Sequence, residues 1–92
     1  MIIEHIIEDE TFNAKIDDKI VGELKYSIDE KSNMRINHTF VNRHMRSQGI
    51  AQKLTDFACE YAESKNMKII PVCPYVVSLF RKFSKYEKYK EV

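Results

Sequence analysis

The sequence predicts an α+β (α/β) fold, and two observations lead there. Between Thr11 and Val41 apolar residues alternate with polar ones, the period of half-buried strands, and from Ile50 the spacing becomes that of an amphipathic helix. A short apolar segment, Lys68 to Val72, follows that helix. Strand, helix, strand in this order implies a parallel pair joined by a right-handed crossover. The expected architecture is therefore an antiparallel meander leading into a strand–helix–strand unit, with a second helix at the C-terminus. With 92 residues the chain is expected to be one domain, residues 1–92, with one modest core.

Taken in order, Ile2 to Ile7 is a candidate first strand. From Thr11 to Asp17, Phe12, Ala14 and Ile16 share a face, and Asp18-Lys19 is the expected hairpin turn. Ile20, Gly22, Leu24, Tyr26 and Ile28 share a face of the next strand, and the polar stretch Asp29 to Asn33 makes the following turn. Met34, Ile36, His38 and Phe40 fall together on the third strand of the meander. The long helix runs from Ile50 to Lys65, with Ile50, Leu54, Phe57, Ala58, Tyr61 and Ala62 as its apolar stripe and Asn66 suited to a left-handed cap. Pro71 has no N–H for a sheet ladder, so Lys68 to Val72 must be unpaired at least there. Pro74 suits the first turn of a second helix, with Val76, Val77, Phe80 and Phe83 as its apolar face. The Lys- and Tyr-rich tail, Ser84 to Val92, is expected to pack loosely.

Composition narrows the classes. A hydrophobic content of 43% is ordinary for a globular protein, and no apolar run approaches membrane-spanning length. Met1-Ile2-Ile3-Glu4 lacks the positive region of a signal peptide, and Cys59 and Cys73 make no metal or redox spacing. A cytoplasmic protein with free thiols and no metal is expected. The net charge of +1 hides a division: residues 1–30 hold nine Asp/Glu and three Lys/Arg, whereas residues 31–92 hold five and twelve. Between Glu30 and Asp56 there is no carboxylate, and this window holds Lys31, Arg35, Arg43, Arg46 and Lys53. It is either a solvated basic face or, because it surrounds the start of the long helix, an anion site.

The most informative stretch is Arg46-Ser47-Gln48-Gly49-Ile50-Ala51, between the third meander strand and the long helix. A turn that opens a helix leaves backbone N–H groups without partners, and the helix dipole adds partial positive charge, so phosphate is a natural ligand. Gly49 lets a ligand approach the backbone, Ala51 keeps the surface flat, and Arg46 adds a planar cationic fork. With only Gly22 and Gly49 in the chain, neither the dinucleotide fingerprint nor the nucleotide-triphosphate loop can be written. What remains, Arg46-x-x-Gly49-x-Ala51 after a strand, resembles the pyrophosphate loop of the GNAT superfamily of acyl-CoA-dependent acetyltransferases. His38-Thr39-Phe40-Val41 before the loop and Val72-Cys73-Pro74-Tyr75 after it resemble a short, single-domain subgroup of that superfamily.

The resemblance implies a minimal GNAT-like fold with a V-shaped opening between its parallel strands, acetyl-CoA as co-substrate, and acetyl transfer to an amine. It implies that Phe40, Val41, Asn42, Arg43, the loop Arg46 to Ala51 (including Ser47, Gln48 and Ile50), Pro74 and Tyr75 border the coenzyme. Backbone N–H groups near Phe40 to Asn42 would steady the tetrahedral intermediate. Cys73, at a helix N-terminus that favours thiolate, is a candidate nucleophile forming acetyl-cysteine; the other reading is a small buried hydrophobe. His38 is a candidate general base or thiol partner, or else a satisfied core histidine. Tyr75 is a candidate acid for the leaving thiolate, or a packing residue. Full-length relatives carry two helices between their first strands, for which this chain has no room, so its acceptor side is expected to be open.

Two further functions compete. An acyl-CoA-binding sensor or adaptor would keep the coenzyme slot with little catalysis. A small nucleic-acid-binding domain would use Tyr75, Tyr86 and Tyr89 interleaved with Lys, but the acidic first third argues against it. The acceptor amine is left open, and a monomer or weak dimer is expected.

Overall fold

The structure, a computed structural model, describes residues 1–92. Five strands form one sheet in the order β1 (Ile2–Ile6), β2 (Thr11–Ile16), β3 (Lys19–Ile28), β4 (Met34–Val41) and β5 (Ile69–Pro71). The first four are antiparallel neighbours, and β5 runs parallel to β4. Helix α1 (Ile50–Ser64) lies across β2, β3 and β4, and α2 (Pro74–Lys82) packs against β4 and β5. No helix is long and apolar enough to cross a membrane.

The β2–β3 hairpin turns at Asp17-Asp18, one residue before the expected Asp18-Lys19. Both aspartates take left-handed backbone, with φ of 51° and 64°. Two such residues make the turn whose twist matches its flanking strands, and Asp tolerates that conformation better than most.

Two bulges then shift the phase of the alternation. Ala14 pairs with Gly22 but Lys15 pairs with Ile20, so Val21 is an extra residue in β3. Val21 is buried and Ile20 is 56% exposed, which removes Ile20 from its expected face; Ile28, at the strand's end, is exposed as well. In β4, Ile36 pairs with Tyr26 and His38 with Lys25, which leaves Asn37 as the extra residue. Met34 and Ile36 are buried, but His38 and Phe40 are exposed. One inserted residue breaks the expected grouping of the four, because every later side chain changes face.

The buried face of α1 comprises Ile50, Leu54, Thr55, Ala58, Cys59 and Ala62. It centres on small residues that let the helix sit close to the sheet, and Phe57, expected in the stripe, falls outside at 48% exposure. Thr55 satisfies its buried hydroxyl by donating to Ala51 O at 2.9 Å. Gly22 makes the approach possible: a Cβ there would stand 3.1 Å from Ile50 Cγ2 and 3.2 Å from Phe40 O. At the other end Asn66 is left-handed (φ 58°), and Met67 N–H and Asn66 N–H donate to Ala62 O and Glu63 O at 2.8 and 3.1 Å. These two bonds close the helix and aim the chain back at the sheet.

The tail is not loose. Ser84–Tyr89 forms a 3-10 turn in which Tyr86 is 1% exposed, stacks on Phe80 at 4.9 Å and donates its hydroxyl to Asp56 Oδ1 at 2.6 Å. Glu91 N–H then donates to Ile69 O at 2.9 Å, on the edge of β5. A small core needs this cover, and a stacked, hydrogen-bonded Tyr supplies it.

At the opposite edge, His5 stacks on Phe12 (centroids 4.0 Å apart), meets Tyr61 edge-on and shares a 2.6 Å hydrogen bond with Tyr26 Oη. Burial holds the His5 imidazole below its ordinary value, and burial, then Tyr61 and Glu10, push Tyr26 up to about 12. A depressed folded value for His5 means that the unfolded chain takes up the proton first. This stabilising contribution is complete above the unfolded value of 6.5 and is lost as pH falls through the folded one. Urea unfolding at pH 7.5 and pH 5 should show wild type weaker at pH 5, and His5→Phe should flatten that dependence. An unchanged pH dependence in His5→Phe would remove His5 as its source.

Candidate functional site

Pairing between β4 and β5 covers only Met34–Ile36 against Ile69–Pro71. Pro71, expected to be unpaired, is thus paired with Ile36: its nitrogen faces away from β4, and Val72 N–H supplies the ladder bond. Beyond Pro71, Val72 N–H and Cys73 N–H both donate to Ile36 O, at 3.1 and 3.0 Å, and the chain leaves the sheet. β4 continues to Val41 without that neighbour, so a gap opens along its edge. Asn42 N–H donates back to Val21 O at 2.7 Å. Successive amides of a strand point to opposite edges, so the Val41 amide faces the gap.

A cavity of about 450 Å³ continues from this gap to the start of α1. Its walls are Thr39, Phe40 and Val41 from β4, Met45, Arg46 and Ser47 from the connecting loop, Gly49, Ile50 and Ala51 at the helix mouth, and Tyr75 from α2. Gly49 caps α1 with φ 72°, no side chain caps the helix, and its first turn holds no acid. The first intrahelical bond is Lys53 N–H to Gly49 O at 3.0 Å, so the Ile50, Ala51 and Gln52 amides have no acceptor within the helix. Arg46 lies beside them, its Nε donating to Val41 O at 3.4 Å. Helix dipole, free amides and guanidinium all favour an anion, and no carboxylate lines the cavity.

Cys73 is 7% exposed at the N-cap of α2, with its sulfur 3.3 Å from Thr39 Oγ1. Burial alone raises the thiol. The Thr39 hydroxyl and the Val76, Tyr75 and Thr39 amides outweigh it and hold Cys73 below its ordinary value. Those α2 amides approach the sulfur without making full capping bonds, yet their dipoles favour thiolate. Cys59 is the contrast: burial, then the Asp56 charge, push it up to about 12. Tyr75, 40% exposed, is raised by burial and by Asp56, so it keeps its proton. No group of His, Cys, Asp and Glu is arranged to hold a metal ion.

A family model described as GCN5-related N-acetyl-transferase matches residues 11–90. The chain belongs to this family. Its fold is similar to that of a GCN5-like protein from Staphylococcus aureus (TM-score 0.78, 23% identity, covering 97% of this chain and 86% of the other). It is also similar to ribosomal-protein-alanine N-acetyltransferase from Brucella melitensis biovar Abortus 2308 (TM-score 0.65, 25% identity, covering 89% of this chain and 61% of that one). A streptothricin-acetyltransferase-like protein from Bacillus anthracis, solved with acetyl coenzyme A, aligns with 66% of this chain and 36% of its own (TM-score 0.60, 21% identity). The chain thus spans 61% of the Brucella protein. No curated protein matches the sequence.

Within this GCN5-related fold the sequence-derived residues separate. Phe40, Val41, Arg46, Ser47, Gly49, Ile50, Ala51 and Tyr75 line the cavity, whereas Asn42, Arg43, Gln48 and Pro74 do not. Asn42 is committed to the turn, its side chain accepting from His44 N–H at 3.0 Å while its own amide is bonded to Val21 O. Of the amides expected near Phe40 to Asn42, only that of Val41 is therefore aimed at the gap. Pro74 is the first residue of α2, and Arg43 lies exposed in a 3-10 turn. His38 does not pair with Cys73; the Asn37 bulge turns it to the other face, and Thr39 takes the place beside the thiol. Thr39 and Met45 were missed by sequence. Met45 carried a signal, as the only large apolar side chain between Val41 and Ile50, whereas Thr39 depends on the bulge.

Thr39→Val keeps the shape and removes the hydroxyl donor. The Cys73 thiol should then titrate higher, and its alkylation by iodoacetamide at neutral pH should slow several-fold, with Cys59 unreactive in both folded proteins. Equal alkylation rates would show that Thr39 does not hold the thiolate.

Proposed function

We propose that this chain takes an acetyl group from acetyl-CoA and delivers it to an exposed amine. The observation that carries the reading is the uncapped mouth of α1 opening into the same cavity as the unpaired edge of β4. The mouth fits a diphosphate, with the Ile50, Ala51 and Gln52 amides and Arg46 as its holders. The β4 edge offers backbone groups to an extended, amide-bearing arm. Thr39 lines the gap end of the cavity, where the thioester would come, and the Cys73 sulfur, which does not itself line the cavity, lies 3.3 Å from the Thr39 hydroxyl.

In the covalent route the Cys73 thiolate forms a bond to the thioester carbonyl carbon, and the carbonyl π electrons move onto oxygen, which accepts from Val41 N–H. Collapse expels the coenzyme thiolate, and Tyr75 gives it a proton and regains one from solvent. The amine then attacks acetyl-Cys73, and amide formation returns the Cys73 thiolate. The acceptor's proton passes to solvent, since His38 lies on the face of β4 opposite Thr39 and Cys73. Direct attack of the amine on the thioester is the competing route and leaves Cys73 unmodified.

Coenzyme A at about one hundred times its dissociation constant should stabilise the fold by roughly 2.7 kcal/mol in thermal unfolding. Arg46→Ala should weaken that binding by about tenfold, the loss of one charge-assisted contact. Absence of any shift at millimolar coenzyme would overturn the reading. Intact mass after incubation with acetyl-CoA should show an acetyl adduct that Cys73→Ser abolishes. Turnover persisting in a folded Cys73→Ala variant would leave only direct attack.

A second reading, a sensor or adaptor that binds acyl-CoA with little catalysis, is favoured by one observation. Only the short turn Ile7–Glu10 joins β1 to β2, so no helix covers the acceptor side there. It requires coenzyme-dependent stabilisation without acetyl turnover on any amine.

A further inference from the structure

The C-terminal segment Lys82-Phe83-Ser84-Lys85-Tyr86-Glu87-Lys88-Tyr89 repeats a Lys–aromatic pair every third residue. The fold uses this period. Lys85 and Lys88 lie in the 3-10 turn Ser84–Tyr89, where residues three apart eclipse, and Lys82 precedes it as the last residue of α2. The aromatic partners turn inward: Tyr86 is buried, and Phe83 and Tyr89 pack against the core. The three lysines are exposed, and each ammonium stands over the ring that follows it, at 5.5 Å (Lys82–Phe83), 5.0 Å (Lys85–Tyr86) and 4.9 Å (Lys88–Tyr89). Lys85 shares Asp56 at 3.4 Å, but Lys82 and Lys88 have no carboxylate partner.

We propose that Lys82, Lys85 and Lys88 form a docking ridge for an extended acidic peptide segment of the acceptor protein. Side chains held over rings keep less rotamer freedom to lose on binding, so the row is pre-organised. Lys85 and Lys88, eclipsed within the 3-10 turn, are separated by about 6 Å along its axis, and Lys82 precedes them across the extended Phe83. Alternate side chains of an extended peptide recur every 6.8 Å or so, so acids two apart meet Lys85 and Lys88, and a further acid meets Lys82. The inward rings argue against single-stranded nucleic acid, which needs exposed faces for stacking, and Glu87 interrupts the row for a continuous polyanion. The ridge also lies on the route to the site. Cys73 and Lys82 bracket α2, about 13 Å long for nine residues at 1.5 Å each, and roughly four extended residues span that length. This docking rests on the acetyl-transfer reading for its purpose and not for its measurement.

The probe is a fluorescein-labelled peptide with Asp at alternate positions and a free amine several residues away, titrated by anisotropy without coenzyme. We expect saturable binding that weakens with salt, at least tenfold weaker binding in Lys82→Gln/Lys88→Gln (which leaves Lys85–Asp56 intact), and none for the Asn-for-Asp peptide. With acetyl-CoA present, the double variant should raise KM for this peptide and leave kcat unchanged. Equal affinity of the double variant or of the Asn peptide would overturn the ridge, as would tighter binding of an oligothymidylate or of phosphatidylserine vesicles of matched charge. Peptide binding without any coenzyme-dependent stabilisation would instead retire the acetyl-transfer reading and leave the ridge standing.

Discussion

The geometry of this molecule follows from how little of β4 is shared with β5. Val72 and Cys73 both turn their amides onto Ile36 O, and the next residue, Pro74, has no N–H with which to continue the ladder. The chain therefore leaves the sheet at once, and Pro74 commits it to α2. β4 runs on to Val41, and its unpaired edge becomes the wall of the cavity. A ladder closed along its whole length would engage the Val41 amide and separate Thr39 from Cys73. The gap thus opens where β5 gives way to α2 at Cys73-Pro74.

The bulge at Asn37 decides what faces that gap. One inserted residue exchanges which side chains and which amides point along the open edge, so Thr39 and the Val41 amide replace His38 and Phe40. Its position is fixed on both sides. Asn37 Nδ2 donates to Ser27 Oγ at 2.9 Å, and Tyr26, opposite Ile36, is anchored through His5. The aromatic cluster at the far edge of the sheet thereby sets the register that places Thr39 beside Cys73.

The change of period at Ile50, Pro74 at the start of α2 and the left-handed Asn66 were legible because each acts through its own backbone chemistry; Pro71 was misread, because its nitrogen faces the edge away from β4. The helix mouth was legible for the same reason: Gly49 and an acid-free first turn are local facts. The bulges were not, since alternation assumes that every residue advances the pleat by one face. That assumption misplaced Ile20, His38 and Phe40 and concealed Thr39. Phe57 was misassigned because a helical period locates a stripe but not its centre, and here close approach of small residues set the centre. The tail was read as loose because a period of three belongs to neither strand nor α-helix. It is the period of the 3-10 turn Ser84–Tyr89, which turns Tyr86 and Tyr89 inward and Lys85 and Lys88 outward, while the extended Phe83 before it packs against the core on its own.

The two cysteines separate what burial does from what the gap does. Both are largely removed from solvent. Cys59 sits inside α1, where the backbone amides are already bonded within the helix; burial, then the charge of Asp56, push its thiol up to about 12, which keeps it protonated at neutral pH. Cys73 sits where α2 begins, so amides without intrahelical partners are at hand, and the open strand adds the Thr39 hydroxyl and amide. Those donors exist at the same place for the same reason: a strand stops pairing just as a helix starts. The reactivity assigned to Cys73 is therefore a property of the splayed junction. Closing the junction would abolish it even with the cysteine unchanged.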